Sequence, residues 1–155
     1  TIETVGSCTV AYAHHSDLQA LIDDNGHLAR ILWFATLLDA AIHREWILKT
    51  KQLRADACAA HFLAETWARL ELVGMAKHDG FASPLTQSHI AEICGTTPVH
   101  MSRSLSSIRE KGLGEFRRGR FYCQDRKGLE AFGRFDPAYL YGDATLGLDE
   151  KLEPR

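Results

Sequence analysis

The sequence lacks the marks of most enzymes and of membrane proteins. It contains no glycine-rich phosphate-binding loop, no nucleophile elbow and no His-Glu-x-x-His pair. Its longest apolar run, residues 31–38, is eight residues long, whereas a helix that spans a bilayer requires about 20. A signal peptide is not apparent either. We therefore expect a cytoplasmic chain that is not an enzyme and does not enter a membrane.

Cysteine is also scarce, and the cysteines are widely dispersed. They are Cys8, Cys58, Cys94 and Cys123, with no Cys-x-x-Cys pair among them. This spacing indicates neither a zinc knuckle nor a disulfide framework, so reduced, buried thiols are the default interpretation. Cys58 and His61 stand at positions i and i+3 of a helical pattern. Because a metal would need two further ligands nearby, a core thiol beside a hydrogen-bonded histidine is the favoured interpretation.

The chain as a whole has little net charge, but one segment has an excess of positive charge. The net charge is −2 and the isoelectric point is near 6.4, which argues against indiscriminate coating of nucleic acid. Residues 97–127 nevertheless contain eight Lys or Arg against three acidic residues, a local balance of +5. Such a concentration is typical of a phosphate-binding surface, although an ordinary solvated basic surface could have the same composition.

A short helix is predicted just before this basic segment. Thr86 can cap its N-terminus, and Ile90, Ile93 and Cys94 fall on one face at helical spacing. Gly95 then ends the helix.

A second helix, residues 98–111, is predicted to follow almost at once. Thr97 is a good N-cap, and Pro98 suits the first helical position because its missing N–H has no partner there anyway. Met101, Leu105 and Ile108 recur at i, i+4 and i+7, so this stripe should pack inward. The residues that lie off the stripe are Val99, His100, Ser102, Arg103 and Ser106.

Two short β-rich runs around Arg118-Gly119 come next and predict a hairpin. Two helices around a glycine turn followed by a hairpin are typical of a winged helix-turn-helix. In that motif the second helix enters the major groove of DNA with its N-terminal residues on base edges.

A long helix is predicted upstream, over residues 26–51. Its 3-4 spacing indicates a coiled-coil seam that pairs two chains, formed by Ile31, Phe34, Leu38, Ala41, Glu45 and Leu48. The alternative is a core helix of a single domain, because further apolar residues widen the stripe, namely Leu32, Trp33, Leu37 and Ile42. Residues 54–75 predict another amphipathic helix.

The segment from residue 85 to residue 103, with the wing after it, resembles the winged helix-turn-helix of the Crp/Fnr transcription regulators. The match is most specific at Gly95, Thr97 and the Ser102-Arg103 pair. The resemblance implies a mostly α protein with a small β component (α+β), in which a long dimerisation helix precedes the winged domain.

The same resemblance implies four regions and a chain that is part of a longer protein. Residues 1–25 correspond to the end of a cyclic-nucleotide-binding-like, effector-binding β-roll, with remnant strands at residues 1–5 and 8–13. Residues 26–51 are the dimerisation helix, residues 52–141 the DNA-binding domain and residues 142–155 a flexible tail.

By resemblance, the function is that of a bacterial homodimeric transcription regulator that binds an inverted repeat in double-stranded DNA. Arg103 would read a guanine, with Val99 and His100 as further major-groove contacts. Val99 replaces the frequent glutamate of the family, so the operator should differ from the best-known family sites. The other expected DNA contacts are Thr86, Gln87, Ser88, Thr97, Pro98, Ser102, Ser106, Arg118, Gly119 and Arg120. In the alternative interpretation, Arg103 pairs with an acid of its own domain.

The signal that such a regulator would sense is not evident from the sequence. Glu45 and Trp46 stand where the cyclic-AMP receptor has an adenine-contacting Thr-Ser pair, which argues against cyclic AMP as the effector. We expect no cofactor in this part of the protein. RNA polymerase is implied as a partner of the turn at residues 77–80. The competing hypothesis is a redox or metal sensor that uses the cysteines and histidines.

Overall fold

The computed structural model describes residue 4 and residues 7–140, and within them the chain is mostly helical with one small sheet, as predicted. The elements in order are α1 (His15–Asp24), α2 (Gly26–Gln52), α3 (Ala55–Leu72), β1 (Ala76–Lys77), β2 (Gly80–Ala82), α4 (Gln87–Ile93), α5 (Pro98–Glu110), β3 (Gly114–Arg117), β4 (Arg120–Cys123), α6 (Arg126–Phe132) and a 3-10 turn (Pro137–Leu140). None of the helices in this part of the chain is long and apolar enough to cross a membrane.

The predicted N-terminal strand at residues 8–13 is not formed. These residues have no regular secondary structure, and Val10 and Tyr12 are exposed. The physical reason is the lack of a partner, since a strand needs a neighbour for its backbone hydrogen bonds and the four described strands pair only with one another. The predicted strand at residues 1–5 falls almost wholly, and the tail at residues 142–155 wholly, outside the described residues.

The long helix α2 begins where the sequence predicts and ends one residue later. Asn25 caps it, because its side-chain oxygen accepts hydrogen bonds from the backbone N–H groups of His27 and Leu28, both at 3.1 Å. The C-terminal half of α2 packs against the core of the chain through Leu38, Ile42 and Trp46.

The core is built around α3. This helix contributes Ala60, Leu63 and Trp67, all at most 2% exposed, and it packs across α5, which contributes Met101 and Ile108. Ile93, which the helical pattern placed on an apolar face, is 38% exposed instead. It is the last residue of α4, where the helix ends.

The four strands form one antiparallel sheet in the order β1-β2-β4-β3. The hairpin β3–β4 therefore joins the pair β1–β2 through β4. Gly80 allows the closest approach within this sheet, since a Cβ atom there would overlap the carbonyl oxygen of Phe121 in the neighbouring strand β4. The sheet carries the wing and holds it beside α5, which packs against β3.

Candidate nucleic-acid interface

The two helices of the helix-turn-helix begin at caps that the sequence predicts. The Thr86 hydroxyl accepts a hydrogen bond from the backbone N–H of His89 at 3.3 Å, and the His89 ring accepts one from the N–H of Thr86 at 3.2 Å. Thr97 caps α5 in the same way, accepting from the N–H of His100 at 3.3 Å. Gly95 has a φ of +63° in the turn, a conformation that favours glycine.

Helix α5 presents one face to the core and the other to solvent. Met101 and Ile108 are at most 1% exposed, whereas Val99 is 67% exposed, and His100, Ser102 and Arg103 are exposed as well. Ser104, which sequence reasoning did not single out, is buried and donates its hydroxyl to the carbonyl of His100 at 3.0 Å. Its position three residues after Met101 was the available signal.

The Arg103 side chain extends from the exposed face without a protein partner. It forms neither a hydrogen bond nor an ion pair with any residue in the described part of the chain. The alternative in which Arg103 pairs with an acid of its own domain is therefore not what the structure contains. Its five N–H donors are available to an external acceptor.

The wing ends in a two-residue turn at Arg118 and Gly119. Both have a positive φ, 49° and 72°, and Arg117 pairs with Arg120 on either side. Positive φ at both central residues is the type I′ geometry that matches the twist of a hairpin. Arg118 adopts it although it has a side chain, so the turn holds an exposed cation at the tip of the wing.

Arg120 does not share this exposed position. Its guanidinium donates to the Asp79 carboxylate at 2.7 Å and to the Gly80 carbonyl at 3.2 Å, and it lies over the Tyr122 ring. Despite opposing desolvation, Arg120 lowers the pKa of Asp79. In the chain without DNA, Arg120, a predicted DNA contact, thus forms an ion pair that joins β4 to the β1–β2 turn.

A groove runs between α5 and the wing and connects several of the predicted contacts. Its lining includes Gln87, Ser102, Ser106, Arg109 and Glu115. Sequence reasoning missed Arg109 and Glu115, the latter held in an ion pair with Arg117 at 2.7 Å. Thr86 and Ser88, which flank Gln87 at the start of α4, are exposed, as are Thr97 and Pro98 at the start of α5.

The predicted dimer seam of α2 is partly covered by the chain itself. Ala41 is 5% exposed, Leu38 packs against the core, and Glu45 forms an ion pair with Lys49 at 2.9 Å. The remaining seam positions are Ile31 and Phe34, which are half-buried, and Leu48, which is 51% exposed. The exposed apolar residues of α2 are Trp33, Leu37, Ile47 and Leu48. The exposed face is therefore rotated around the helix from the predicted one, because the broad apolar stripe also supplies the core.

Cys58 and His61, the pair considered above for a metal, occupy ordinary core positions, whereas Cys8 is exposed. His61 is buried, and its two ring nitrogens lie 3.1 Å from the Gly133 carbonyl and 3.2 Å from the Tyr139 hydroxyl. Burial lowers the pKa of His61, although the Gly133 contact acts in the opposite direction. No group of three or more His, Cys, Asp or Glu in the described part of the chain could hold a metal ion.

The thiols of Cys58 and Cys94 are buried and interact with each other. Their hydrogen bond lowers the pKa of Cys58 and, together with burial, raises that of Cys94. Burial also raises the pKa of Cys123 to about 11. Since the thiolate is the reactive form, Cys94 and Cys123 are poor nucleophiles here.

Comparison with known proteins finds a family model that matches part of the chain and solved structures with a similar fold. A model of the Crp-like helix-turn-helix domain matches residues 59–132. The structure of FixK2 from Bradyrhizobium japonicum is similar at 24% identity and a TM-score of 0.66, over 76% of this chain and 57% of that chain. The structure of CprK in complex with OCPA is similar at 16% identity and a TM-score of 0.59, over 76% of this chain and 53% of that one.

The chain thus spans a little more than half the length of these solved relatives. No curated protein matches it significantly. The residues matched by the domain model include the elements of the candidate interface described above, α4, α5, β3 and β4. Residues 59–132 are therefore a Crp-like helix-turn-helix domain, and the described fold is similar to that of FixK2.

Proposed function

We propose that the chain binds an inverted-repeat operator as a homodimer, with α5 inserted in the major groove of each half-site. The observation that carries this proposal is the exposed N-terminal face of α5, where Val99, His100, Ser102 and Arg103 are exposed while Met101 is fully buried. A helix in this position reads bases with the residues of its first turns.

Arg103 is the main reader of sequence in this proposal. Its guanidinium can donate two parallel hydrogen bonds to O6 and N7 of a guanine, and no acceptor of the described chain competes for it. Val99 is placed to contact a thymine methyl group, and His100 and Ser102 are further candidates for base edges. Ser106 lies deeper in the groove between α5 and the wing.

Phosphates would be held on both sides of α5. Thr86, Gln87 and Ser88 offer hydroxyl, amide and backbone N–H donors on one side. Arg118 and the backbone of Gly119 do so from the tip of the wing. Arg120 is omitted from this set because Asp79 occupies its guanidinium. Such contacts make binding depend steeply on salt.

A second copy of the chain would pair along α2. The exposed apolar residues Trp33, Leu37, Ile47 and Leu48 support this part of the proposal, since exposed apolar surface marks an interaction site. A two-fold dimer requires a palindromic operator whose half-sites lie ~34 Å apart, one turn of DNA.

The effector and the partner protein are also matters of proposal. Glu45 is paired with Lys49, and Trp46 donates its indole N–H to Glu65 at 3.0 Å. Because both side chains are engaged within the chain, we propose that they do not bind cyclic AMP. The turn at residues 77–80, in which Lys77 and His78 are exposed, is the proposed contact for RNA polymerase.

Selection of binding sites from random duplex DNA tests the proposal. The expected product is an inverted repeat with one guanine per half-site that depends on Arg103. Recovery of asymmetric sites would contradict the dimer, and failure to enrich any sequence would contradict specific reading. Sedimentation at micromolar concentration tests the pairing separately.

A further inference from the structure

A short segment after α6 contacts both α2 and α3. The element that α2 packs against most is the 3-10 turn Pro137–Leu140, ahead of its neighbour α1. That turn also packs on α3. We call residues 133–140 the strap, because they lie against both helices and connect α6 to them.

A buried carboxylate accepts hydrogen bonds from both α2 and the strap. Glu65 of α3 is 3% exposed. Its Oε2 atom accepts hydrogen bonds from the Tyr139 hydroxyl of the strap at 2.6 Å and from the Trp46 indole N–H of α2 at 3.0 Å. Its Oε1 atom accepts one from Arg69 at 3.3 Å. Since a buried charge is costly unless it is fully hydrogen-bonded, Glu65 favours the arrangement that brings all three donors together.

The hydroxyl of Tyr139 has a choice of acceptors, and geometry favours Glu65. His61 Nδ1 faces the carbonyl oxygen of Gly133 at 3.1 Å, so this nitrogen carries the hydrogen and Nε2 of the neutral ring is an acceptor. Tyr139 Oη lies 3.2 Å from Nε2 but 2.6 Å from the Glu65 oxygen. A bond to a carboxylate is the shorter and stronger kind, so the single hydroxyl proton goes to Glu65.

Other contacts hold the strap in place on both helices. The rings of His61 and Tyr139 are stacked, at an interplanar angle of 12°, and Phe135 and Trp46 meet the His61 ring edge-on. On α2, Lys49 donates to the carbonyl of Arg134 at 2.9 Å. The strap is thus hydrogen-bonded to α2 through Arg134 and to Glu65 of α3 through Tyr139.

We propose that residues 133–140 are a conformational latch, which fixes α2 on the DNA-binding domain as long as Tyr139 and Trp46 both donate to Glu65. Release of either donor removes one of the hydrogen bonds that connect α2, the strap and Glu65, and lets the angle of α2 to α5 change. A movement of the upstream part of α2 would then be transmitted to α5 through Glu65 of α3. This inference is independent of which bases or phosphates α5 contacts.

Hydrogen exchange of the whole chain, read by mass spectrometry, tests the latch with two conservative variants. Tyr139→Phe and Trp46→Phe each keep an aromatic ring and remove one donor to Glu65. We expect amides of residues 38–52 to exchange roughly tenfold faster in either variant, as for the loss of one hydrogen bond to a charged group. Amides of residues 101–108 in α5 should keep their wild-type rates.

Matched controls make the same chemical change elsewhere. Tyr122→Phe removes a hydroxyl from the wing, and Tyr12→Phe removes an exposed hydroxyl from the segment before α1. Both should leave exchange at residues 38–52 unchanged. Wild-type exchange at residues 38–52 in the two latch variants would overturn the proposal. So would equal acceleration at residues 101–108, which would mean that Glu65 only stabilises the common core.

Discussion

Replacing Arg103 with alanine separates the reading of DNA sequence from the holding of DNA. In the free protein the side chain is exposed and has no partner in the described part of the chain. Its removal should therefore leave the melting temperature of the protein unchanged. On the specific operator the variant loses a bidentate contact to guanine, worth about 1–3 kcal/mol, which corresponds to roughly a 5- to 150-fold weaker Kd. Binding to unrelated duplexes should change much less.

Two further variants act as controls for charge and for phosphate contact. Arg103→Lys keeps the charge but lacks the planar fork, so it should lose specificity while the salt dependence stays near that of the wild type. Arg118→Ala, at the tip of the wing, should weaken binding to specific and unrelated DNA alike. It should also reduce the slope of log K against log salt by about 0.9, the value for one phosphate contact.

Fluorescence anisotropy with an operator duplex and a scrambled duplex, at several salt concentrations, measures all of these quantities. The assignment of Arg103 as a reader fails if Arg103→Ala weakens both duplexes equally. It fails equally if sites selected by the variant carry the same motif as sites selected by the wild type. A lower melting temperature in Arg103→Ala would instead indicate an intramolecular role in solution.

Three further predictions follow from α2 and the core. Leu37→Asp, on the exposed face of α2, should convert a dimer to a monomer in sedimentation without lowering the melting temperature of the monomer. Leu38→Asp, whose side chain faces the core, should lower that melting temperature. If the two variants had the same effect on dimerisation and on melting temperature, the shifted seam would be contradicted. Calorimetry should detect no saturable uptake of cyclic AMP, and tight binding would refute the argument from Glu45 and Trp46. Because burial lowers the pKa of His61 in the folded state, the unfolded chain takes up this proton first, and stability should fall as pH drops below the ordinary histidine value of about 6.5. His61→Gln should show a shallower loss of melting temperature between pH 7 and 5 than the wild type, and an identical loss would exclude His61 as the titrating group.

The sequence by itself determined the local parts of this fold. Thr86, Thr97 and Pro98 mark the starts of α4 and α5, and Gly95 and Gly119 mark tight turns, because caps and positive φ values depend on only a few neighbouring residues. The buried stripe of α5 follows in the same way, since helical periodicity places Met101 and Ile108 on one side whatever they pack against.

Only the tertiary structure decided which side chains form hydrogen bonds or ion pairs with distant parts of the chain. Arg120 is paired with Asp79, which lies 41 positions earlier in the sequence. Glu65 accepts hydrogen bonds from Trp46 and Tyr139, which lie 19 and 74 positions away in the sequence. Neither pairing leaves a periodic signal in the sequence. The sequence also left open which face of α2 is buried, because its apolar stripe is broad enough for two faces. Only packing assigned Leu38 and Ala41 to the interior and left Trp33 and Leu37 exposed.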